Sequence, residues 1–169
     1  MDIDVKLRPW SRKMVVLVVF VLGLAIAAAP AVSGDFNTRK PTEAEMQGIM
    51  ATIGKVFRGW GNLDLNLYMS AWSVDAHQYL KDGVERNYDQ ILSSRRNAFK
   101  KYREVHSSWR ILDVDINVNT AYVSCYYEMT FVRLDGSSFN EANEEYYVLK
   151  YTPDGFWFIV ENYDYLPKQ

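Results

Sequence analysis

The sequence is poor in cysteine, and its charges nearly cancel. It has a single cysteine in 169 residues, Cys125, so the chain can form neither an internal disulfide nor a cysteine-rich zinc site. Its 19 basic and 21 acidic side chains give a formal net charge of −2, without the basic excess typical of nucleic-acid-binding proteins. We therefore expect no nucleic-acid partner, and we expect Cys125 to be a small residue of the core.

Motifs for metal and nucleotide binding are also missing from the sequence. It has no metal-ligand spacing, no glycine-rich phosphate loop and no Ser-His-Asp order of a catalytic triad. We therefore expect neither a metal nor a cofactor. The content of 49% hydrophobic and 24% charged residues is typical of one globular domain.

The N-terminal segment has the layout of an export signal. Four basic residues precede an apolar run at 14–29, and Ala31 and Ser33 follow it as small residues of an A-x-A type cleavage site. We predict a signal peptide at 1–33 and a periplasmic or secreted mature protein. The alternative is an uncleaved inner-membrane anchor at 14–32, which would be the chain's only contact with a membrane.

The stretch 119–165 organises the rest of the chain. Alternate positions of its first segment are apolar: Ala121, Val123, Cys125, Tyr127, Met129 and Phe131. This period of two is typical of a strand with one buried face. Turn residues at Asp135-Gly136 and at Pro153-Asp154-Gly155 divide the stretch. The pattern predicts a three-stranded antiparallel meander.

The opposite face of this meander is also rich in apolar surface. It carries Tyr122, Tyr126, Glu128, Val132, Tyr146, Val148, Phe158 and Val160. We expect one face to pack against the chain's own helices and the outer face to pack against a second copy, which predicts a homodimer. The alternative is that tyrosines suit strands by propensity and keep their hydroxyl groups in water.

The residues before the meander predict three helices. Thr42 and Glu45 have the spacing of a capping box, and an apolar stripe continues to about Trp60. Asp64 can cap a short second helix. A third helix is predicted at about 87–102, and Arg95 lies on its apolar stripe.

Two further strands complete the predicted fold. A short strand is expected at 76–80 and a longer one at 107–118. Four apolar residues of the longer strand are expected on one face: Leu112, Val114, Ile116 and Val118. The fold class is therefore α+β, with three N-terminal helices packed in the hollow of a curved, mostly antiparallel sheet.

Three stretches of the chain resemble the nuclear transport factor 2-like superfamily, which includes SnoaL-like and ketosteroid isomerase-like proteins. They are VFRGWGNLDLNLYMSAWSVDAHQYLKDG, NTAYVSCYYEMTF and YVLKYTPDGFWFIVEN. The helix YDQILSSRR and the closing DGFWFIVE are most similar to the secreted domain appended to some bacterial L,D-transpeptidases. The resemblance predicts a domain at 41–166 after a short linker at 34–40.

This resemblance implies a cone-shaped half-barrel with a pocket between sheet and helices, often dimeric through the outer face of the sheet. Members of the superfamily range from isomerases and dehydratases to scaffolds, so the fold does not define a reaction.

Two acidic residues fall on the face expected to point into the hollow. They are Glu145 and Glu161, and Arg95 is their natural counter-charge. One interpretation is an ion pair of Arg95 with either glutamate that braces the cone. The other is a ligand clamp or an acidic base in an aromatic pocket.

His77 is the candidate catalytic base, because imidazole exchanges protons near neutral pH and the resemblance places it on the strand that closes the pocket. Asp75 would orient its ring. The alternative is a histidine at the rim of the fold with no catalytic task. Six aromatic residues are predicted either to line a pocket or to fill the core: Trp60, Tyr68, Trp72, Tyr79, Tyr127 and Trp157.

The sequence leaves two main functions open. One is a dimeric, non-catalytic binding or assembly domain of the bacterial envelope, with a small aromatic pocket for an apolar or cell-wall-derived ligand. The other is a cofactor-free isomerase, cyclase or dehydratase with His77 as base and with Arg95, Glu145 and Glu161 shaping the pocket. A structural dimer without any ligand is a third alternative.

Overall fold

The computed structural model describes residues 37–165, and the predicted leader at 1–33 lies outside this range. In this range the chain forms three helices and six strands: α1 (Glu43–Gly61), α2 (Leu65–Met69), β1 (Trp72–Tyr79), β2 (Glu85–Asn87), α3 (Tyr88–Phe99), β3 (Tyr102–Asn117), β4 (Thr120–Arg133), β5 (Ser138–Tyr151) and β6 (Trp157–Tyr163). None of these helices combines the length and apolar character needed to cross a membrane.

The six strands form one sheet in the order β2-β1-β6-β5-β4-β3. Neighbouring strands are antiparallel except β1 and β6, which are parallel. Register shifts between β3 and β4, β5 and β6, and β1 and β6 interrupt the ladders. Such irregularities bend strands and increase their twist. The predicted α+β fold, with helices in the hollow of a curved and mostly antiparallel sheet, is confirmed.

The inner face of β4 carries the centre of the core, as the alternation predicted. All six alternating residues from Ala121 to Phe131 are at most 5% exposed, including Cys125. Helix α1 packs onto the core with its buried apolar side, which comprises Ile49, Ile53, Val56, Phe57 and Trp60. Gly59 permits a close approach of α1 to α2, since a Cβ atom there would lie 2.7 Å from the backbone of Tyr68.

The helix ends follow the predicted caps. Thr42 and Glu45 form the capping box of α1, and the Asp64 carboxylate accepts a hydrogen bond at the start of α2. The prediction that the third helix continues to residue 102 is wrong. Helix α3 ends at Phe99, because Tyr102 already begins β3.

Several strand boundaries and orientations differ from the prediction. Strand β1 begins at Trp72 and β3 at Tyr102, so both are longer than predicted, and β2 was not predicted. Leu112 and Val118 do not face inward and are 42% and 86% exposed. A register shift at Leu112 breaks the alternation there, and Val118 lies in the following turn with φ of 55°.

Five rings form a continuous row on the outer face of the sheet, which we call the outer ring row. Its members are Tyr122, Tyr146, Tyr163, Tyr79 and His77, on four neighbouring strands. Successive ring centroids are 6.5, 6.0, 4.8 and 6.4 Å apart. All five residues are of intermediate exposure, so the rings shield one another only in part from water.

Candidate functional site

A cavity of about 300 Å³ lies between the helices and the inner face of the sheet. Helices α1, α2 and α3 contribute to its lining, together with strands β1 to β5. Seven aromatic residues belong to its wall: Phe57, Trp60, Tyr68, Tyr102, Tyr127, Phe131 and Tyr147. A concave space lined by aromatic rings and convergent polar groups is a typical form of a small-molecule site.

Glu145 places a carboxyl group on this cavity. It lies opposite Cys125 on the inner face of the sheet. Its Oε2 atom accepts hydrogen bonds from the Tyr147 hydroxyl and, at 3.4 Å, from Asn162 Nδ2. Burial raises the pKa of Glu145 to about 7, although these donors and the charge of Arg95 lower it. The carboxyl group can therefore gain or lose a proton near neutral pH.

Arg95 faces the same cavity, but it does not form the predicted ion pair. Its guanidinium carbon lies 5.0 Å from the Trp60 ring centroid and 5.4 Å from that of Tyr68, and its Nε donates to the Tyr68 hydroxyl at 3.0 Å. Within residues 37–165 no carboxylate oxygen lies within 4.0 Å of its side-chain nitrogens. The predicted pairing with Glu145 or Glu161 is wrong because the arginine turns toward the two rings.

Two buried amides connect the cavity wall to Glu145. Gln78 and Asn162 are 2% and 1% exposed, and Gln78 Nε2 donates to Asn162 Oδ1 at 2.8 Å. Arg86 Nη1 donates to Gln78 Oε1 at 3.5 Å, and Asn162 donates to Glu145. The resulting chain of hydrogen bonds crosses β1 and β6, and it satisfies amides that would otherwise be costly to bury.

A bulge reverses the side-chain directions near the end of the sheet. The register between β5 and β6 shifts at Val148, so Asn162 faces inward beside Tyr147, whereas Glu161 lies beside Val148 on the outer face. The prediction that Glu161 points into the hollow is wrong because the bulge interrupts the strict period of two. The carboxylate of Glu161 instead accepts a hydrogen bond from the Tyr163 hydroxyl at 2.8 Å.

His77 lies outside the cavity, opposite Glu161 in the ladder between β1 and β6. Its Nδ1 is 2.6 Å from Glu85 Oε1, and its side chain is 43% exposed. The predicted pair of His77 with Asp75 is wrong: Asp75 is exposed, and the carboxylate at the ring belongs to Glu85 on the unpredicted strand β2. The structure therefore does not bring His77 together with the aromatic pocket.

Three of the six predicted aromatic residues line the cavity: Trp60, Tyr68 and Tyr127. Trp72 and Trp157 pack in the core, each 4% exposed. Tyr79 belongs to the outer ring row and stacks on Tyr163.

Two further carboxylates line the cavity and were not predicted. Tyr127 donates to Glu141 Oε1 at 2.7 Å, and Asn143 Nδ2 donates to Asp164 Oδ1 at 2.9 Å. Burial raises the pKa of Asp164. Glu141 has the same parity as Glu145, so extending the predicted strand upstream would have identified it. Asp164 follows the last strand and carries no such signal.

No protein-family model matches the sequence, and no curated protein matches it. Solved structures do match. A conserved protein from Planctomyces limnophilus DSM 3776 is 11% identical, with a TM-score of 0.69 over 73% of this chain and 97% of that one. A nuclear transport factor 2-like superfamily protein from Salmonella enterica serovar Typhimurium is 20% identical, with a TM-score of 0.61 over 73% and 91% of the two chains.

The chain has the nuclear transport factor 2-like fold. A ketosteroid isomerase-like protein from Erwinia carotovora atroseptica SCRI1043 matches this fold as well, at 16% identity and a TM-score of 0.62 over 72% of this chain and 95% of that one. Likeness at this level of identity concerns the fold and does not transfer an activity. The closer similarity to the domain appended to L,D-transpeptidases stays a prediction.

Among the residues that the structure describes, no group of three or more histidine, cysteine, aspartate or glutamate side chains is arranged to hold a metal ion. The cavity also presents polar groups of its own. A carboxyl group with a pKa of about 7 can transfer a proton or donate a hydrogen bond, and a guanidinium can bind an anionic oxygen.

Proposed function

We propose that this nuclear transport factor 2-like domain binds a small, largely apolar or cell-wall-derived molecule in the cavity beside Glu145 and Arg95. The proposal rests on the position of the Glu145 carboxyl group in the cavity wall. A carboxyl group held beside a cavity, with its pKa raised to about 7, costs folding free energy that an apolar residue there would avoid. A ligand that uses the group gives a reason for that cost.

A thermal-shift screen of small aromatic and cell-wall-derived compounds tests this proposal. Ala98 lines the cavity, so Ala98→Leu should fill part of the space, whereas Ala51→Leu adds the same side chain at an exposed position of α1. A binder should raise the melting temperature of the wild type and of Ala51→Leu by mass action, but not that of Ala98→Leu. Equal shifts in all three proteins, or no binder for the wild type, would contradict the proposal.

A second function, proton transfer on the bound molecule, is favoured by the pKa of Glu145. In this scheme Glu145 replaces His77, which lies outside the cavity. One neighbour of the same fold is called ketosteroid isomerase-like. If the site is catalytic, a carbon acid found in the screen should exchange hydrogen for deuterium in heavy water with the wild type and not with Glu145→Gln. Binding without exchange would leave the domain a binding protein.

We also propose that two copies associate through the outer face of the sheet. The support is the outer ring row, whose members Tyr79, Tyr146 and Tyr163 keep intermediate exposure in the single chain. Tyr146→Glu should convert a dimer into a monomer in sedimentation velocity at micromolar concentration, whereas Leu134→Glu in an exposed turn should not. A monomeric wild-type protein would overturn the dimer.

Export to the bacterial envelope remains the proposal for the N-terminal segment. Cleavage after Ser33 should give a periplasmic or secreted protein whose N-terminal sequence begins at Gly34. An intact N-terminus in the inner-membrane fraction would instead support the anchor at 14–32.

A further inference from the structure

The acidic side chains that line the cavity already have hydrogen-bond donors from the protein. The pairs are Tyr147 with Glu145, Tyr127 with Glu141, and Asn143 with Asp164. All three donors are neutral groups. The carboxylates of the cavity therefore accept hydrogen bonds from hydroxyl and amide groups. None of these three carboxylates forms an ion pair with the guanidinium of Arg95.

Two arginines, Arg86 and Arg95, also line the cavity. Arg86 Nη1 donates to Gln78 Oε1 at 3.5 Å, whereas Arg95 lies beside the rings of Trp60 and Tyr68. Its Nε has a hydrogen bond to Tyr68, but neither Nη1 nor Nη2 has an acceptor within the described part of the chain. A guanidinium offers five N–H groups in a planar fork. Neither Nη atom of Arg95 is a buried atom without a partner in residues 37–165, so these unpaired N–H groups are accessible to a ligand in the cavity. The fork matches the two oxygens of a carboxylate, which it can bind through two parallel hydrogen bonds.

The surroundings of this guanidinium define the rest of the ligand. Trp60 and Tyr68 present aromatic rings beside the cation, and Phe131 and Tyr102 continue the aromatic wall. Such surfaces favour a flat, apolar body. The volume of about 300 Å³ is at the lower end of the range for small-molecule sites, which points to a compound with one ring.

We propose that the ligand is a small aromatic carboxylate, with its carboxylate on the Arg95 fork and its ring against Trp60 and Tyr102. The inference rests on the proposed binding function of the cavity and names the class of ligand. Glu141, Glu145 and Asp164 line the same space, so a singly charged anion suits it better than a phosphate. Burial raises the pKa of Glu145 and of Asp164, which reduces the repulsion that the ligand meets.

Matched acids and amides test the inference on the full chain. The probes are benzoate with benzamide and 4-hydroxybenzoate with 4-hydroxybenzamide, titrated calorimetrically at pH 6. The wild type should bind the acid of at least one pair about tenfold more tightly than its amide, as expected for a charge-assisted contact. Arg95→Gln should lose this preference. Arg96→Gln, at the next and exposed position, should keep it.

The outcomes separate the ligand class from the binding function. If both amides bind the wild type at least as tightly as the acids, the carboxylate inference fails but the binding cavity stands. If none of the four probes binds, the inference fails, and the binding function survives only through another ligand in the thermal-shift screen. If Arg95→Gln does not fold, Arg95→Lys replaces it. If Arg95→Lys prefers the acid less than the wild type does, the result supports two parallel hydrogen bonds from the guanidinium to the carboxylate. An unchanged preference in Arg95→Lys overturns them.

Discussion

The two ends of the sheet's inner face differ, although the same strands form both. At the closed end, Ala121, Val123, Leu149 and Ile159 are all 0% exposed and leave no room. At the hollow end, the inner residues of the same strands include Tyr127, Met129, Phe131, Glu141 and Glu145, and they border a cavity. Aliphatic side chains interdigitate, whereas hydrogen-bonded polar groups and large rings keep fixed positions and leave space between them. Stability is thus concentrated at one end, and the candidate site occupies the other.

The largest difference between the two ends is expected in the free energy of unfolding when one inner side chain at each end is truncated. Leu149→Ala should lower the free energy of unfolding by about 3 kcal/mol, because it opens a cavity in a closed core. Met129→Ala should cost about half as much, since the side chain borders a space that already exists and has fewer contacts to lose. Urea denaturation of both variants measures the difference. Equal losses would show that the two ends are packed alike.

The protonation of Glu145 should give the hollow end a pH dependence that the closed end lacks. Its pKa is about 7 in the folded protein and 4.5 in the reference state. Between these values the unfolded chain releases the proton while the folded protein keeps it, so stability falls as pH rises, by about 3 kcal/mol in total.

Glu145→Gln keeps an acceptor but cannot ionise, so its stability should change less between pH 4.5 and 7. Urea denaturation at several pH values compares the two proteins. An identical slope in the variant would assign the effect to another group, such as Asp164, whose pKa burial also raises.

Helices α1 and α2 both line the cavity at the hollow end, and they approach each other closely at Gly59. Gly59→Ala should cost about 2 kcal/mol, because the new methyl group would lie 2.7 Å from the Tyr68 backbone. Gly61→Ala is the matched control two residues later, where the nearest atom is 3.6 Å away. Thermal denaturation should show a lower melting temperature for the first variant only, and similar values for both would contradict the close approach.

The smallest stability effect is expected at Arg95. Arg95→Met should cost about 1 kcal/mol, through the hydrogen bond lost by the buried Tyr68 hydroxyl. Removing one partner of a buried ion pair costs more, about 3–5 kcal/mol. A loss in that range on chemical denaturation would show that Arg95 is paired with a carboxylate in solution.

Regular patterns made much of the fold predictable. The alternation on β4 identified the core, the capping residues located the helix starts, and the resemblance identified the cone fold. Irregular features were not predictable. The bulge that turns Glu161 outward depends on how β5 and β6 pair, and β2 has three residues, too few for a period to show. Without β2, the partner of His77 was assigned to Asp75 instead of Glu85.

The candidate site was predictable where a residue lay on a long periodic element. Helical stripe and strand parity placed Trp60, Arg95 and Glu145 at the hollow, and all three line the cavity. The amides Gln78 and Asn162 were missed, because a polar side chain on a strand is usually exposed. Their burial depends on hydrogen bonds to each other and to Arg86 and Glu145.

The parallel pairing of β1 with β6 joins the first strand of the sheet to the last. During synthesis, β1 leaves the ribosome long before its neighbour exists, so the edge formed by β1 and β2 cannot dock until β6 has been translated. Contacts so distant along the chain form slowly. A nascent chain halted before Trp157 should therefore remain sensitive to proteases at β1, while its helices can already form.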